Sequence, residues 1–292
     1  MNITSRILAA AAAIAMVGTL SAFSVSADTC AESLARTEIG ASLQPAQPVQ
    51  RSADEVMLPY QYDGLSTQAQ RCYRNIRKAV LAHKNSVKIS SRISEKTLLG
   101  IADILCCQDP LTFGTVSIEY NGISTDNAYA RLIYPNTKGV DESVSSQVAK
   151  EADKVIAAFA PEADAYAKLL AVHDHITAVA QVDDSEPNSY SKAAYGPLVV
   201  GMAVSDGYAY AFQYICIRAG LTSITVAGTD ADGNAHTWNK VKIGDEWYNV
   251  DCAADDISGG YGYFMVSDDI MGQTYTENSS KDYPSAKNNY NK

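Results

Sequence analysis

Val204-Ser205-Asp206-Gly207-Tyr208-Ala209-Tyr210-Ala211-Phe212 is the stretch on which the reading of the whole chain turns. A serine and an aspartate ahead of an apolar stripe predict the first turn of a helix. Tyr208, Phe212, Ile215 and Ala219 recur at helical spacing, and Gly220 is a good stop for a helix within residues 198–221. The unpaired amides and dipole at such a tip favour an anion. A hydroxyl placed there needs a base to act as a nucleophile. Two later segments contain the partners: His236-Thr237-Trp238-Asn239 and Trp247-Tyr248-Asn249-Val250-Asp251. Hydroxyl, imidazole and carboxylate, in that order, suggest a nucleophile, its base and the base's orienting group.

Spacing tests this independently. Residues 236–243 and 246–252 read as strands joined at Gly244-Asp245, a pair suited to a tight primed turn. A two-residue turn sets Ile243 opposite Glu246 and Trp238 opposite Asp251. His236 then projects from the same face as Asp251, as its diagonal neighbour about 7–8 Å away. A three-residue turn would put the two on opposite faces. Ser223 to Ala227 reads as a further strand, and Asp230 to Asn234 as a turn. A helix followed by an antiparallel sheet predicts an α+β fold.

Taken together, Ser205-Asp206-Gly207-Tyr208-Ala209, His236-Thr237-Trp238-Asn239 and Trp247-Tyr248-Asn249-Val250-Asp251 resemble the transglutaminase-like superfamily of papain-type folds. Ala194-Tyr195-Gly196, Val172-His173-Asp174, Asp255-Asp256 and the run from Tyr263 to Asp268 add to the likeness. It is strong over residues 165–270 and weaker back to Tyr60, as in bacterial secreted members. The family pattern has cysteine where this chain has Ser205. The resemblance implies a papain/transglutaminase-like core after a mostly helical N-terminal region. It makes Ser205, His236 and Asp251 the catalytic positions, with His236 the base and Asp251 its orienter. Asp206, Gly207, Tyr208, Trp238, Asn239 and Tyr248 would support the cleft, Tyr208 and Trp238 as core. Family members cleave or transfer peptide, protein or cell-wall amide bonds through an acyl-enzyme.

Serine changes the chemistry expected at that position. A helix tip helps ionise a thiol but not a hydroxyl, so His236 would have to remove the proton during attack. A serine also makes a good helix cap, which explains its presence without any reaction. Cys216 lies eleven residues further along the helix, about 16 Å at roughly 1.5 Å per residue, too far to share His236. Cys252 follows Asp251 on an expected strand and would point to the other side of the sheet. Two readings stand: a ligand-binding pseudoenzyme, which the missing thiol favours, or a serine-variant amidase, peptidase or acyltransferase.

The remaining sequence bounds the setting. Residues 1–27 read as a secretory signal: Arg6, an almost uncharged alanine-rich run to Val25, and Val25-Ser26-Ala27 as a cleavage site. Residues 28–57, with Gln44-Pro45-Ala46-Gln47-Pro48, read as a linker. The expected divisions are 58–164, a helical and strand N-terminal region, and 165–292, the transglutaminase-like domain. The formal charge of −10 argues against nucleic acid and anionic membrane surfaces as partners, and no later segment is apolar enough to span a bilayer. The expected location is extracellular or at the cell surface. All six cysteines follow the signal, so disulfides are permitted, and adjacent Cys106 and Cys107 are not expected to pair with each other. No spacing marks a metal site or cofactor. His173 and His175 fall on different faces of a helix, and Asp230 and Asp232 read as turn residues.

Upstream, Tyr73, Ile76, Val80 and Leu81 predict a helix from Thr67 to about Lys88. Ser94 starts a second, ending near Cys107 before Asp109-Pro110. Val116–Tyr120 and Tyr129–Tyr134 read as paired strands. Residues 142–160 and 162–180 read as two amphipathic helices, the second opened by Pro161.

Overall fold

The computed structural model describes residues 23–25, 57–90, 92–112, 116–123, 126–134, 142–183, 190–279 and 281–291. The expected signal and linker therefore lie outside the described residues, apart from 23–25 and Met57.

The N-terminal part is built around two helices and a sheet. Helix α1 (Thr67–Leu81) is capped by Ser66, whose hydroxyl accepts from Ala69 N, and α2 (Glu95–Cys107) by Ser94, which accepts from Thr97 N. The first helix stops earlier than its periodicity predicts. His83 adopts a positive φ of 48°, and residues 86–88 leave as a strand, β2 (Ser86–Lys88). Strands β3 (Ser117–Asn121) and β4 (Tyr129–Ile133) pair antiparallel as the sequence suggested. Strand β1 (Phe23–Val25), which lies within the stretch expected to be cleaved as a signal, pairs with β3 in the full-length chain, giving the order β1-β3-β4-β2. Tyr73, Ile76, Leu98, Ile101, Leu105, Ile118 and Tyr120 fill the core between these layers.

The second core lies around a buried helix. Helix α3 (Glu142–Ala157) packs Val148, Ala152 and Val155 into it, alongside Leu169, Val172 and Ile176 of α4 (Ala165–Val179). Pro161 does not open α4. Asp164 does, accepting from Ala167 N at 2.8 Å, because a carboxylate can satisfy an orphan amide and proline cannot. The region 198–221, expected to be mostly helical, divides into two pieces. A wide π-type turn (Gly196–Val200) ends at Gly201, in the left-handed region at φ 81°. Met202–Ala203 then forms β6, parallel to β5 (Gln181–Val182). Only after this kink does α5 (Ser205–Arg218) begin. Every residue of α5 from Gly207 to Ile217 is buried, so it has no solvent face rather than a single apolar stripe.

Beside α5 stands a five-stranded sheet of order β10-β9-β8-β7-β11. Its central members are β7 (Thr222–Thr229), β8 (Ala235–Ile243) and β9 (Glu246–Val250), with β10 (Phe264–Val266) and β11 (Thr276–Glu277) at the edges. The β8–β9 turn has two residues, and Ile243 faces Glu246. The chain does not continue as a strand through Cys252. It turns into α6 (Cys252–Ser258) because Asp251 caps that helix. Short α7 (Asp268–Met271) then leads to β11. Alternation along β8 sends Thr237, Asn239 and Val241 toward α5, and Trp238 and Lys240 toward the C-terminal segment. Polar side chains link the cores. Gln108 pairs with the backbone of Thr225 in both directions, at 3.0 and 3.1 Å, and Gln213 Nε2 donates to Gln108 O.

Candidate functional site

Ser205 lies at the tip of α5 as the first helical residue. Val204 is the cap position and contributes no side-chain bond. The expectation that this serine caps the helix is therefore not met. Its hydroxyl instead accepts from Thr237 N at 3.4 Å. A close approach holds the tip in place. Val204 N donates to Ser191 O, and a Cβ on Gly207 would sit 2.3 Å from that same carbonyl. Asp206 accepts from Thr237 Oγ1 at 2.5 Å, joining the first turn of α5 to β8.

His236 and Asp251 meet. His236 Nε2 lies 2.6 Å from Asp251 Oδ2, with the carboxylate 1 % exposed and the imidazole 14 %. Asp251 Oδ1 accepts from Ala253 N and Ala254 N, each at 3.1 Å. One carboxylate thus caps α6 and fixes the imidazole, which ties ring orientation to the start of a helix. Nε2 is engaged, so Nδ1 is the ring nitrogen left for other chemistry. Among the described residues no hydrogen bond joins Ser205 to His236. The hydroxyl touches β8 through the backbone of Thr237, one residue along.

The supporting residues divide by face. Trp238 is 1 % exposed and donates to Asn249 Oδ1 at 2.9 Å. Gly228, opposite His236 on β7, leaves room for it: a Cβ there would lie 2.7 Å from the indole. Asn239 lies on the other side of β8 and donates to Ala209 O and Ile224 O, pinning α5 to the sheet. Tyr208 is core and donates to Asp256 at 2.5 Å, and burial followed by that carboxylate raises its phenol pKa. Tyr248 packs edge-on to Tyr290 at 5.3 Å within the helical core, away from the dyad. Asn239 and Tyr248 are thus scaffold rather than cleft wall.

Sequence reasoning passed over Tyr275. Its ring stacks on His236 with centroids 4.1 Å apart and planes 6° from parallel. It sits in an irregular segment with no periodicity and no motif, so nothing in the sequence marked it. Thr237, between His236 and Trp238, contacts both Ser205 and Asp206.

Among the described residues no other cysteine substitutes for a thiol at position 205. Cys216 and Cys252 are buried free thiols whose pKa values burial raises well above the ordinary range, away from the reactive thiolate. Cys107 is in a disulfide, and Cys106 is a buried thiol donating to Val116 O. His173 is buried among packed rings and has both ring nitrogens partnered. Its Nε2 lies 3.1 Å from buried Asp255 and its Nδ1 3.1 Å from Asp174. Asp230 organises its turn, accepting from Asp232 N, Asn234 N and Asn234 Nδ2.

These features define an α+β domain with a helix tip, a histidine strand and a carboxylate cap at one end of the sheet. Residues 153–252, which hold all three positions, match the profile of the transglutaminase-like superfamily. No curated protein matches the chain significantly. Three solved structures are similar over about half their own length. A protein from Cytophaga hutchinsonii provisionally assigned as a cysteine protease shares 16% identity at a TM-score of 0.33, over 47% of this chain and 53% of that one. A TGase shares 11% at 0.34, over 47% and 43%. The periplasmic domain of TgpA from Pseudomonas aeruginosa shares 15% at 0.30, over 45% and 55%. Among the described residues no helix is long and apolar enough to cross a membrane.

Proposed function

We propose that this is a secreted transglutaminase-like protein that retains a ligand-binding cleft while its amide chemistry is weak or lost. The observation that carries the reading is the state of the nucleophile position. Ser205 accepts from Thr237 N, and among the described residues no hydrogen bond joins its hydroxyl to the free Nδ1 of His236. A hydroxyl must give its proton to a base as it attacks, and no bond for that transfer is formed here. The dyad and the glycine-dependent helix tip are nevertheless intact, which fits a cleft kept for recognition. The ligand is a peptide, protein or cell-wall segment presenting an amide. Secretion is supported by the N-terminal signal pattern and by the disulfide at Cys107, a bond at home in oxidising compartments.

The persistence of the His236–Asp251 pair favours one alternative, a serine-variant amidase, peptidase or acyltransferase using Ser205, His236 and Asp251. A fluorophosphonate probe separates the two. The binding reading expects no labelling of the wild-type protein, and labelling that Ser205→Ala abolishes would establish the alternative. Ser205→Cys tests the cleft itself. It is expected to gain iodoacetamide-sensitive activity on a glutamine or peptide amide, and no gain would show that the cleft has diverged from the family's chemistry.

A further inference from the structure

Tyr275 is delivered to the dyad by a separate piece of the fold. Its N–H donates to Met271 O at 2.9 Å, so it closes the turn that ends α7. The next residue, Thr276, enters β11 and pairs with Thr229 of β7. On one side Tyr263 lies tilted at 5.9 Å and its hydroxyl bonds Thr274; on the other, Trp238 lies at 5.9 Å. The phenol is therefore held at fixed height over the His236 face, in a stack that also includes Trp238.

We propose that Tyr275 is a positioning residue that shields the His236–Asp251 pair from water and fixes the plane of the imidazole. The inference rests on reading that pair as the functional dyad. The pair sits at an end of the sheet, where strand β8 begins and water is close. An ion pair or charge-assisted hydrogen bond weakens when water enters, because the local dielectric rises and water competes for the same atoms. A parallel ring 4.1 Å away occupies the space from which water would approach one face of the imidazole. It also stops the ring from tilting out of line with Oδ2. A parallel aromatic stack favours the ring orientation that keeps the two faces in contact. The hydroxyl plays no part in this; only the ring does. The charged groups facing His236 are Asp251, on the cap of α6, and Asp230, in the turn before β8.

The test uses the ring N–H proton of His236 in the full chain, followed by proton NMR. In the wild-type protein the downfield resonance of the N–H bonded to Asp251 should exchange with water more slowly than that of exposed His83. Tyr275→Phe should retain it, and Tyr275→Leu should lose it to exchange broadening while amide resonances in α1 and α2 stay unchanged. Persistence of the signal in Tyr275→Leu, or its loss in Tyr275→Phe, would overturn the proposal. If the leucine variant does not fold, the wild-type comparison with His83 still decides it, since equal exchange rates would show that no shield exists. None of these readouts depends on Ser205 or on turnover. A protected proton with an inert Ser205→Cys variant would count against the proposed cleft chemistry and leave the shield standing.

Discussion

A single carboxylate carries three bonds at the heart of this site. Asp251 accepts from Ala253 N and Ala254 N and holds His236. Its burial makes each unmet partner costly. Asp251→Ala removes the cap and leaves the imidazole without its partner, and capping alone is worth roughly 0.5–2 kcal/mol. Asp251→Asn keeps an acceptor for the two amides. In urea unfolding the alanine variant is expected to lose at least that capping range, and the asparagine variant less. Equal stability of Asp251→Ala and wild type would mean that the cap contributes nothing. At this scale the sequence was informative, because the residue types and the two-residue turn already placed His236 beside Asp251. It was uninformative about Ser205. A serine before an apolar run reads as a cap, yet it lies one position inside the helix, with its oxygen on Thr237 N. Cap and first-turn positions differ by one residue, and sequence patterns do not resolve helix ends that finely.

Helix α5 keeps its place because one element is pressed against another without a side chain between them. Gly207 faces the carbonyl of Ser191, and a methyl group there would lie 2.3 Å from that oxygen. The obstacle is backbone, so the helix tip or the loop has to move. Gly207→Ala is expected to destabilise the fold by about 1–3 kcal/mol, in the range of overpacked sites. Thermal unfolding measures it, and an unchanged midpoint would show that the loop yields freely. The kink before α5 was not legible. The region 198–221 reads as mostly helical because its composition is apolar throughout, whereas the left-handed φ of Gly201 splits off the turn before α5. Strand β9 gave the opposite error. Trp247 to Cys252 has strand composition throughout, and only the capping bonds of Asp251 turn the last part into helix.

Across the whole molecule, the C-terminal segment that carries Tyr275 is fastened to the sheet by charge. Lys240 is fully buried and contacts Asp268 at 2.9 Å and also Glu277. Burial pushes the Asp268 carboxyl upward, but the Asn249 amide, Lys240 and the Ala286 N–H outweigh it and hold its pKa below the ordinary 3.8. Its ionised form is thus favoured by folding. That contribution is complete above 3.8 and is lost as pH falls through the lower folded value. Glu277 works the other way: burial raises it above 4.5, so its protonation on acidification favours the folded state. The fall in thermal midpoint between about pH 4 and pH 2 is therefore expected to be shallower in Asp268→Asn than in wild type. An equal fall would assign the acid sensitivity to other carboxylates.

By itself the sequence determined the α+β class, the two-residue turn, and the company of His236 and Asp251, since periodicity and turn chemistry are local properties that read out along a strand. Tertiary structure alone decided that Ser205 leans on Thr237 rather than on the imidazole, that Asp251 begins a helix, and that Tyr275 covers the dyad. Those outcomes depend on how separate elements fit against one another in space, and residues far apart in the chain carry no periodic signal of such a fit.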